Sequence, residues 1–538
     1  MSALHKQLLW LVVCMQQESC CTAPLLPTPR LPEEPRSELP DAVLLDSLRQ
    51  DWARLQRRTM EPQERQELIS RYNARLLTLL RRVRYDILHK YALEERKEFP
   101  PIFHVVHEDM RHKRNLNDVY DDMVPAADVH TEALKEHYLV PGLGVPLVGV
   151  IPAGKIQDGD RLVHFHGRGT VSTLTAVLEF PARGKQPILR LIPRHMHEQV
   201  RVGPLFYPLA GDFSAPIEIY WNLTTIKRGR YLGLLNPQKL RDTTGLTCIE
   251  HYNPKKIPVI LAHGLASSAE TFNNLVNRLQ RDPEIRRHYQ FWYFNYPTGV
   301  AWSISAAEYR KALARARLQF DPKRTNRLWD QMVVVGHSMG GLITHLNQTL
   351  PTEVRPEKLP KGLARSTALL PNLYDFKPIR TGQVVYMATP HRGAPIASNV
   401  FVLACMRLVH LPQTLAKEVF TLATLQEDNL IAHPGRVAKW FTSIGQLSPT
   451  SADIVALNMR PVQDVPTHSI IGDRGRNNSP KSSDGIVPYW SSHLSWGGET
   501  IVPSDHSVQD VPETAEALSL VLKKHLARCE GRQKPHSH

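Results

Sequence analysis

Cysteine is scarce in this chain of 538 residues, which contains only six. Three lie near the N-terminus, at positions 14, 20 and 21, and the others are far apart, at positions 248, 405 and 529. Three widely spaced thiols make neither a disulfide framework nor a metal cage. The sequence also lacks zinc-finger spacing and RNA-recognition signatures, although its net charge is +14. We therefore expect neither a disulfide scaffold nor a nucleic-acid partner.

Long apolar runs are also missing. The run LLWLVV at residues 8–13 follows Lys6 and is too short to span a bilayer. It is similar to the apolar part of a short secretory signal, and the cysteines and Pro-rich stretch that follow resemble a bacterial lipoprotein. Residues 1–40 are therefore predicted to be an export signal, a lipid-bearing cysteine and a tether to a membrane surface. A frayed N-terminus on a cytoplasmic protein is the alternative.

The length of the chain indicates two or three domains, because single cores stop growing near ~250–300 residues. Residues 41–135 carry apolar residues at helical spacing and are predicted to be a helical region, interrupted at Glu61 and Pro62. Its many basic residues are interpreted as solvated helix faces, with a binding patch as the alternative. Residues 136–235 contain short β-branched runs at 147–151, 162–165 and 217–220 and predict a small β-rich module.

Residues 236–530 show a different pattern, in which strand, loop and helix repeat. This repeat is typical of a parallel sheet with crossover helices, and hence of an α/β fold. An insertion at residues 394–466 has helical texture without a sheet strand and is predicted to form a cap. Its apolar segments, 401–409 and 419–425, are either ordinary core or the lining of an apolar pocket. The predicted strands are residues 258–262, 290–294, 332–335, 384–387, 468–471 and 500–502, and the predicted helices are residues 269–279, 306–318, 339–350 and 513–526.

A candidate nucleophile lies at Ser338, in the sequence GHSMG at residues 336–340. An apolar strand precedes this G-x-S-x-G motif and a helical pattern follows it. A tight strand-to-helix turn would expose the serine hydroxyl, and small flanking residues would let the backbone pass closely. The alternative is a glycine-rich turn with a structural serine.

Two backbone N–H groups are expected to stabilise an oxyanion formed during attack by Ser338. One is that of Met339, the residue after the candidate nucleophile. The other is that of Leu265, which follows an apolar strand and the His263-Gly264 pair. A structural turn is the alternative for this pair.

The candidate base is His506, because it follows the last predicted strand, where loops bring side chains to the edge of the sheet. His493 is the nearest rival. The candidate acid is Asp484, in the sequence SDGIVP, which precedes the base by 22 residues. Asp473 remains open as the acid, although the arginines beside it favour a loop salt bridge. The chain order is then serine, aspartate, histidine.

Four segments together resemble the lipase and esterase branch of the α/β-hydrolase superfamily, especially its uncharacterised bacterial members. They are LAHGL at residues 261–265, GHSMGG at 336–341, MATPHRG at 387–393 and SDGIVP at 483–488. The resemblance implies an α/β-hydrolase fold over about residues 254–526 and a Ser-His-Asp triad that needs neither metal nor organic cofactor. The chain departs from one esterase subgroup, which carries His-Gly-Gly-Gly where this chain has His-Gly-Leu.

These residues predict a serine esterase or lipase that cleaves carboxylic esters, including lipid esters with an apolar acyl group, through an acyl-enzyme. An acyltransferase or thioesterase with the same triad is one alternative, since only the acceptor or the leaving group differs. A non-enzymatic protein that binds lipid or acts as a scaffold is the second alternative.

Overall fold

The structure is a computed structural model, and it describes twelve segments of the chain. They are residues 41–89, 103–107, 120, 122–129, 134–151, 170–181, 185–223, 244–250, 252–352, 376–394, 446–474 and 482–531. The predicted signal and tether, most of the predicted cap and its two apolar segments lie outside these residues. Within them, no helix is both long enough and apolar enough to cross a membrane.

Two helices open the described chain, α1 (Asp41–Leu55) and α2 (Pro62–His89). The helix break predicted at Glu61 and Pro62 is confirmed. Basic residues on α2 form ion pairs that connect it to α1. Arg71 and Arg75 both contact the buried carboxylate of Asp51. The hydroxyl of Tyr72 donates to the backbone oxygen of Leu178 (2.7 Å) and accepts from its N–H (2.9 Å). Helix α2 is thereby fixed to a β-sheet about a hundred residues downstream.

That sheet has five strands in the described part of the chain, in the order β1-β6-β5-β4-β2. Strands β1 and β2 come from the region predicted to be helical, so the predicted limit of the β-rich module at residue 136 is too late. Leucines of α1, α2 and the sheet share one core. The strands up to this point are β1 (His104–His107), β2 (Asp122–Pro125), β3 (Leu139–Val140), β4 (Val145–Ile151), β5 (Thr170–Glu179), β6 (Ile188–Pro193), β7 (Gln199–Val202), β8 (Leu205–Pro208) and β9 (Gly211–Asp212).

The strand predicted at residues 217–220 is wrong, because this segment belongs to helix α3 (Ala215–Leu223). The carboxylate of Asp212 accepts hydrogen bonds from the N–H groups of Ser214 and Ala215, both at 2.9 Å. Pro216 follows at the start of the helix, where its fixed φ is compatible with helical geometry. These local signals outweigh the two-residue alternation of Ile217 to Tyr220.

The second sheet has seven strands among the described residues, in the order β10-β12-β11-β13-β14-β15-β16. All neighbours are parallel except β10, which runs antiparallel to β12 at one edge. The six predicted strands are confirmed, and β10 was not predicted. The strands are β10 (Gly245–Cys248), β11 (Ile257–Ala262), β12 (Tyr289–Asn295), β13 (Val333–His337), β14 (Gln383–Met387), β15 (Thr467–Gly472) and β16 (Gly498–Val502).

Helices connect these strands and cover both faces of the sheet. Strand β11 shows the resulting pattern, because Val259 and Leu261 enter one apolar core while Ile260 enters another. Burial on both faces is the reason the central strands are continuously apolar instead of alternating. The helices are α4 (Asn273–Leu279), α5 (Pro283–His288), α6 (Trp302–Phe320), α7 (Arg327–Asp330), α8 (Met339–Gln348), α9 (Ala452–Met459), α10 (Tyr489–Ser492) and α11 (Pro512–Gly531).

Candidate active site

The candidate nucleophile Ser338 lies in a one-residue turn between β13 and α8. Its backbone has φ 53° and ψ −122°, a conformation that L residues rarely adopt. Its N–H donates to the backbone oxygen of Met387 on the neighbouring strand (2.8 Å), which holds the turn against the sheet. The strained turn therefore sits at the carboxyl edge of the sheet, where side chains from several loops can converge.

The glycines around Ser338 are required by close backbone contacts. A Cβ atom on Gly340 would lie 2.1 Å from the carbonyl oxygen of Ala262, and one on Gly336 would lie 2.5 Å from the Cα atom of Gly341. No side chain fits at such distances without moving the backbone. The G-x-S-x-G spacing thus reflects the packing of α8 against β11 and against its own strand.

His506 reaches Ser338 from the loop that follows β16. Its Nε2 atom lies 2.8 Å from the Ser338 hydroxyl oxygen, and its Nδ1 atom lies 2.7 Å from the carboxylate of Asp484. Because a carboxylate can only accept, Nδ1 carries the proton and Nε2 is left to accept from the serine. The His506 side chain is 18 % exposed, so part of the imidazole is in contact with solvent.

Asp484 is held by the tight turn that contains it. One carboxylate oxygen accepts from the N–H groups of Ile486 (2.8 Å) and Val487 (2.7 Å), while the other faces His506. Gly485 has φ +96°, a backbone conformation that favours glycine, and the Arg474 guanidinium packs against it. The carboxylate is therefore buried, oriented and fully hydrogen-bonded.

The two rival residues occupy other positions. Asp473 directly follows β15 and is buried, and its N–H donates to the backbone oxygen of Val502 (2.9 Å). His493 contacts the carboxylate of Glu499 (2.8 Å) and the hydroxyl of Tyr489 (3.1 Å). The carboxylate in contact with His506 is that of Asp484.

Of the two residues predicted to form an oxyanion hole, Met339 directly follows the serine, and Leu265 follows a glycine that packs against it. Met339 is the first residue of α8, and the first N–H groups of a helix have no partner within the helix and lie at its positive end. Leu265 lies on the loop after β11, and a Cβ atom on the preceding Gly264 would lie 2.9 Å from the Cβ atom of Ser338. The loop is anchored by the Tyr296 hydroxyl, which donates to the backbone oxygen of His263 (2.5 Å).

Comparisons with known proteins identify solved structures of lipases and esterases. A lipase of Bacillus licheniformis in mature form is 14% identical, covering 51% of this chain and 94% of its own, with a TM-score of 0.28. A Staphylococcus hyicus lipase is 14% identical, covering 52% and 97%, with a TM-score of 0.32. A Burkholderia xenovorans enol-lactonase is 13% identical, covering 52% and 95%, with a TM-score of 0.26. No family model and no curated protein matches the chain.

His337 was not singled out by the sequence, yet it contacts the base directly. Its Nε2–H donates to the backbone oxygen of His506 (2.8 Å). Burial lowers the pKa of His337 to about 3, and the nearby His506 adds to this effect. The ring is therefore neutral and acts as a hydrogen-bond donor that holds the His506 loop. Only its place beside the serine in the motif could have suggested this contact.

The MATPHRG segment begins at the end of β14, the strand beside β13, and supports the site through hydrogen bonds. The Thr389 hydroxyl donates to the backbone oxygen of Gly336 (3.3 Å), and its side chain fills the space beside Gly341. The Arg392 guanidinium donates to the backbone oxygens of Trp490 (2.5 Å) and His493 (2.9 Å). The segment therefore joins the serine turn to the chain that follows Asp484.

Proposed function

We propose that the chain is a serine hydrolase that cleaves carboxylic esters through an acyl-enzyme intermediate. One observation carries the proposal: the side chains of Ser338, His506 and Asp484 form a continuous hydrogen-bonded chain, with contacts of 2.8 and 2.7 Å. A serine hydroxyl is a weak nucleophile until an adjacent base takes its proton, and the base needs a third group to fix its tautomer. Each of the three residues has the contact that its role requires.

The proposed reaction begins with attack by the Ser338 oxygen on the acyl carbon of the ester. His506 Nε2 takes the hydroxyl proton, and Asp484 stabilises the imidazolium that forms. The N–H groups of Met339 and Leu265 hold the negative charge on the carbonyl oxygen. His506 then gives its proton to the departing alcohol, and the acyl group stays on Ser338.

The second half of the proposed reaction repeats these steps with water. His506 takes a proton from the incoming water, whose oxygen attacks the acyl carbon. The ester bond to Ser338 then breaks, its oxygen recovers a proton from His506, and a carboxylic acid leaves. The partial exposure of the His506 side chain, 18 %, supports this step, because the imidazole is not sealed from solvent.

We also propose that the seven-stranded sheet and its helices form an α/β-hydrolase fold. The strained turn at Ser338 between β13 and α8 has the geometry of a nucleophile elbow. The order serine, aspartate, histidine along the chain, with the histidine after the last strand, also fits that fold.

The proposal is tested with a fluorophosphonate probe, which labels activated serines, and with nitrophenyl esters of increasing acyl length. We expect the protein to be labelled and to hydrolyse at least one ester. Ser338→Ala should abolish labelling and lower turnover by on the order of 10⁶-fold, the loss seen when a comparable serine nucleophile is removed.

Ser70→Ala is the matched control, because Ser70 is an exposed serine on α2. This variant should keep both labelling and turnover. Labelling that persists in Ser338→Ala would assign the nucleophile to another serine. A folded protein that is neither labelled nor active on any ester would contradict the proposed function.

A further inference from the structure

A cavity lined by both charged and apolar side chains lies where the first sheet meets the edge of the second. It encloses about 40 Å³ and includes none of the three proposed catalytic residues. Arg194 and Phe213 line it from the β-rich module. Lys256, Glu250 and Arg286 line it from the chain around β10 to β12.

Two arginine side chains are buried in the wall of this cavity. Arg194 is 2% exposed and Arg286 is 8% exposed, and both guanidinium groups lie against the ring of Phe213, at 5.8 and 4.5 Å from its centre. Their terminal nitrogens donate to backbone oxygens of neighbouring loops and, for Arg194, to the carboxylate of Glu198. The Nε atom of each arginine is buried and has no hydrogen-bond partner. An unsatisfied buried cationic donor is costly unless an acceptor is supplied.

The charges around the cavity do not balance. Three basic side chains line it, those of Arg194, Arg286 and Lys256, whereas its described lining has one carboxylate, that of Glu250. Glu198 lies outside the lining and accepts from Arg194. One oxygen of the Glu250 carboxylate accepts a hydrogen bond from the hydroxyl of Thr173. Burial lowers the pKa of the Lys256 ammonium group, and the two carboxylates oppose that shift while the two arginines reinforce it. The described lining of the cavity therefore carries more basic than acidic side chains, beside two arginines whose Nε atoms have no partner.

We propose that this cavity binds a small oxyanion of the phosphate class. The volume of the cavity limits the size of the ligand. One water needs about 10–15 Å³ of such space, so the cavity holds roughly three waters or one tetrahedral oxyanion. Planar guanidinium groups and an ammonium group are the side chains that proteins use for phosphate oxygens. The anion is inorganic phosphate itself or the phosphoryl group of a larger molecule. By contacting Arg194 on one side and Arg286 on the other, it links the β-rich module to the edge of the second sheet.

The test is calorimetric titration of the full chain with sodium phosphate at constant ionic strength, with sodium chloride as the reference and glycerol phosphate in a parallel arm. We expect saturable binding of inorganic phosphate and a higher unfolding temperature in its presence. Tighter binding of glycerol phosphate would indicate a phosphoryl group on a larger molecule as the natural ligand. Arg286→Gln and Lys256→Gln should each weaken phosphate binding about tenfold or more, since a hydrogen bond to a charged group is lost.

Arg287→Gln is the matched control, because Arg287 is exposed and adjacent to Arg286 on α5. It should leave phosphate binding unchanged, and so should Ser338→Ala, which separates this proposal from the proposed hydrolase activity. If Arg286→Gln does not fold, Lys256→Gln decides, because Lys256 is only partly buried. The proposal is overturned if wild-type protein binds neither phosphate compound, or if Lys256→Gln binds phosphate as tightly as wild type.

Discussion

At the scale of single residues, the acid role distinguishes two aspartates, of which Asp484 is the one in contact with His506. Asp484 accepts from His506 and from two backbone N–H groups, so we expect Asp484→Asn to favour the wrong imidazole tautomer. The turnover of a nitrophenyl ester should fall by on the order of 10⁴-fold. Asp473→Asn is the comparison variant and should be far less damaging. The opposite ranking of the two turnover numbers would assign the acid role to Asp473.

His337 provides a second prediction at this scale, because its ring donates to the backbone oxygen of the base. His337→Leu removes this donor, so His506 should be held less well and kcat should fall by about tenfold, with KM little changed. His337→Gln still carries an N–H donor and should retain more of the activity. Equal losses in the two variants, or a change confined to KM, would show that the ring acts by packing alone.

The residues of the candidate site were foreseeable to different degrees. Ser338 has a local signal, since glycines, an apolar strand and a helix surround it. His506 could be placed only by its position after the last strand, and Asp484 only by the turn that contains it. His337 has no separate signal, because its contact is with a residue 169 positions away.

At the scale of elements, the turn between β13 and α8 depends on Gly340. A Cβ atom there would lie 2.1 Å from the backbone oxygen of Ala262, and backbone atoms of a central strand cannot move aside cheaply. We expect Gly340→Ala to lower the free energy of unfolding by about 3 kcal/mol or more. Urea denaturation measures this loss. Gly531→Ala is the control, because an added methyl there has open space, and a similar loss in both variants would contradict the steric argument.

The elements that the sequence predicted best are the buried parallel strands. Their continuous apolar runs, separated by helical patterns, are a strong signal, and all six were found. Strand β10 was not predicted, because it has four residues and pairs antiparallel at an edge of the sheet. Helix α3 was predicted to be a strand because the capping role of Asp212 is not visible in the sequence. There, an aspartate before a helix looks like any other polar residue of a loop. Strands β1 and β2 are also short, and their pairing partners lie far along the chain.

At the scale of the whole molecule, contacts between distant segments were the hardest to foresee. Tyr72 on α2 pairs with Leu178 on β5, and Arg278 on α4 pairs with Glu136 near the start of the β-rich module. Each contact joins two regions that were predicted to be separate because their hydrophobic patterns differ. Changes in composition suggested where regions begin and end, but the pairing of surfaces depends on three-dimensional packing that a linear pattern does not contain.

Buried histidines lead to a prediction about the whole molecule, namely that its stability falls in mild acid. Burial lowers the pKa of His337 to about 3 and that of His345 to about 4, and it holds the pKa of His391 well below 6.5. His506 and Asp484 face His337, while His345 and His391 face each other and Arg392. In the unfolded chain these imidazoles take up protons near pH 6.5.

The free energy of unfolding falls in acid because the unfolded state binds more protons than the folded state once the pH is below about 6.5. Each such histidine then lowers the free energy of unfolding by up to about 1.4 kcal/mol per pH unit, until the pH reaches the pKa of that histidine in the folded protein. The urea midpoint should therefore be markedly lower at about pH 5 than at about pH 7.5. His345→Gln should reduce this difference, whereas His104→Gln, at an exposed position, should not. Equal midpoints at the two pH values would mean that the buried rings are protonated as readily in the folded protein as in the unfolded chain.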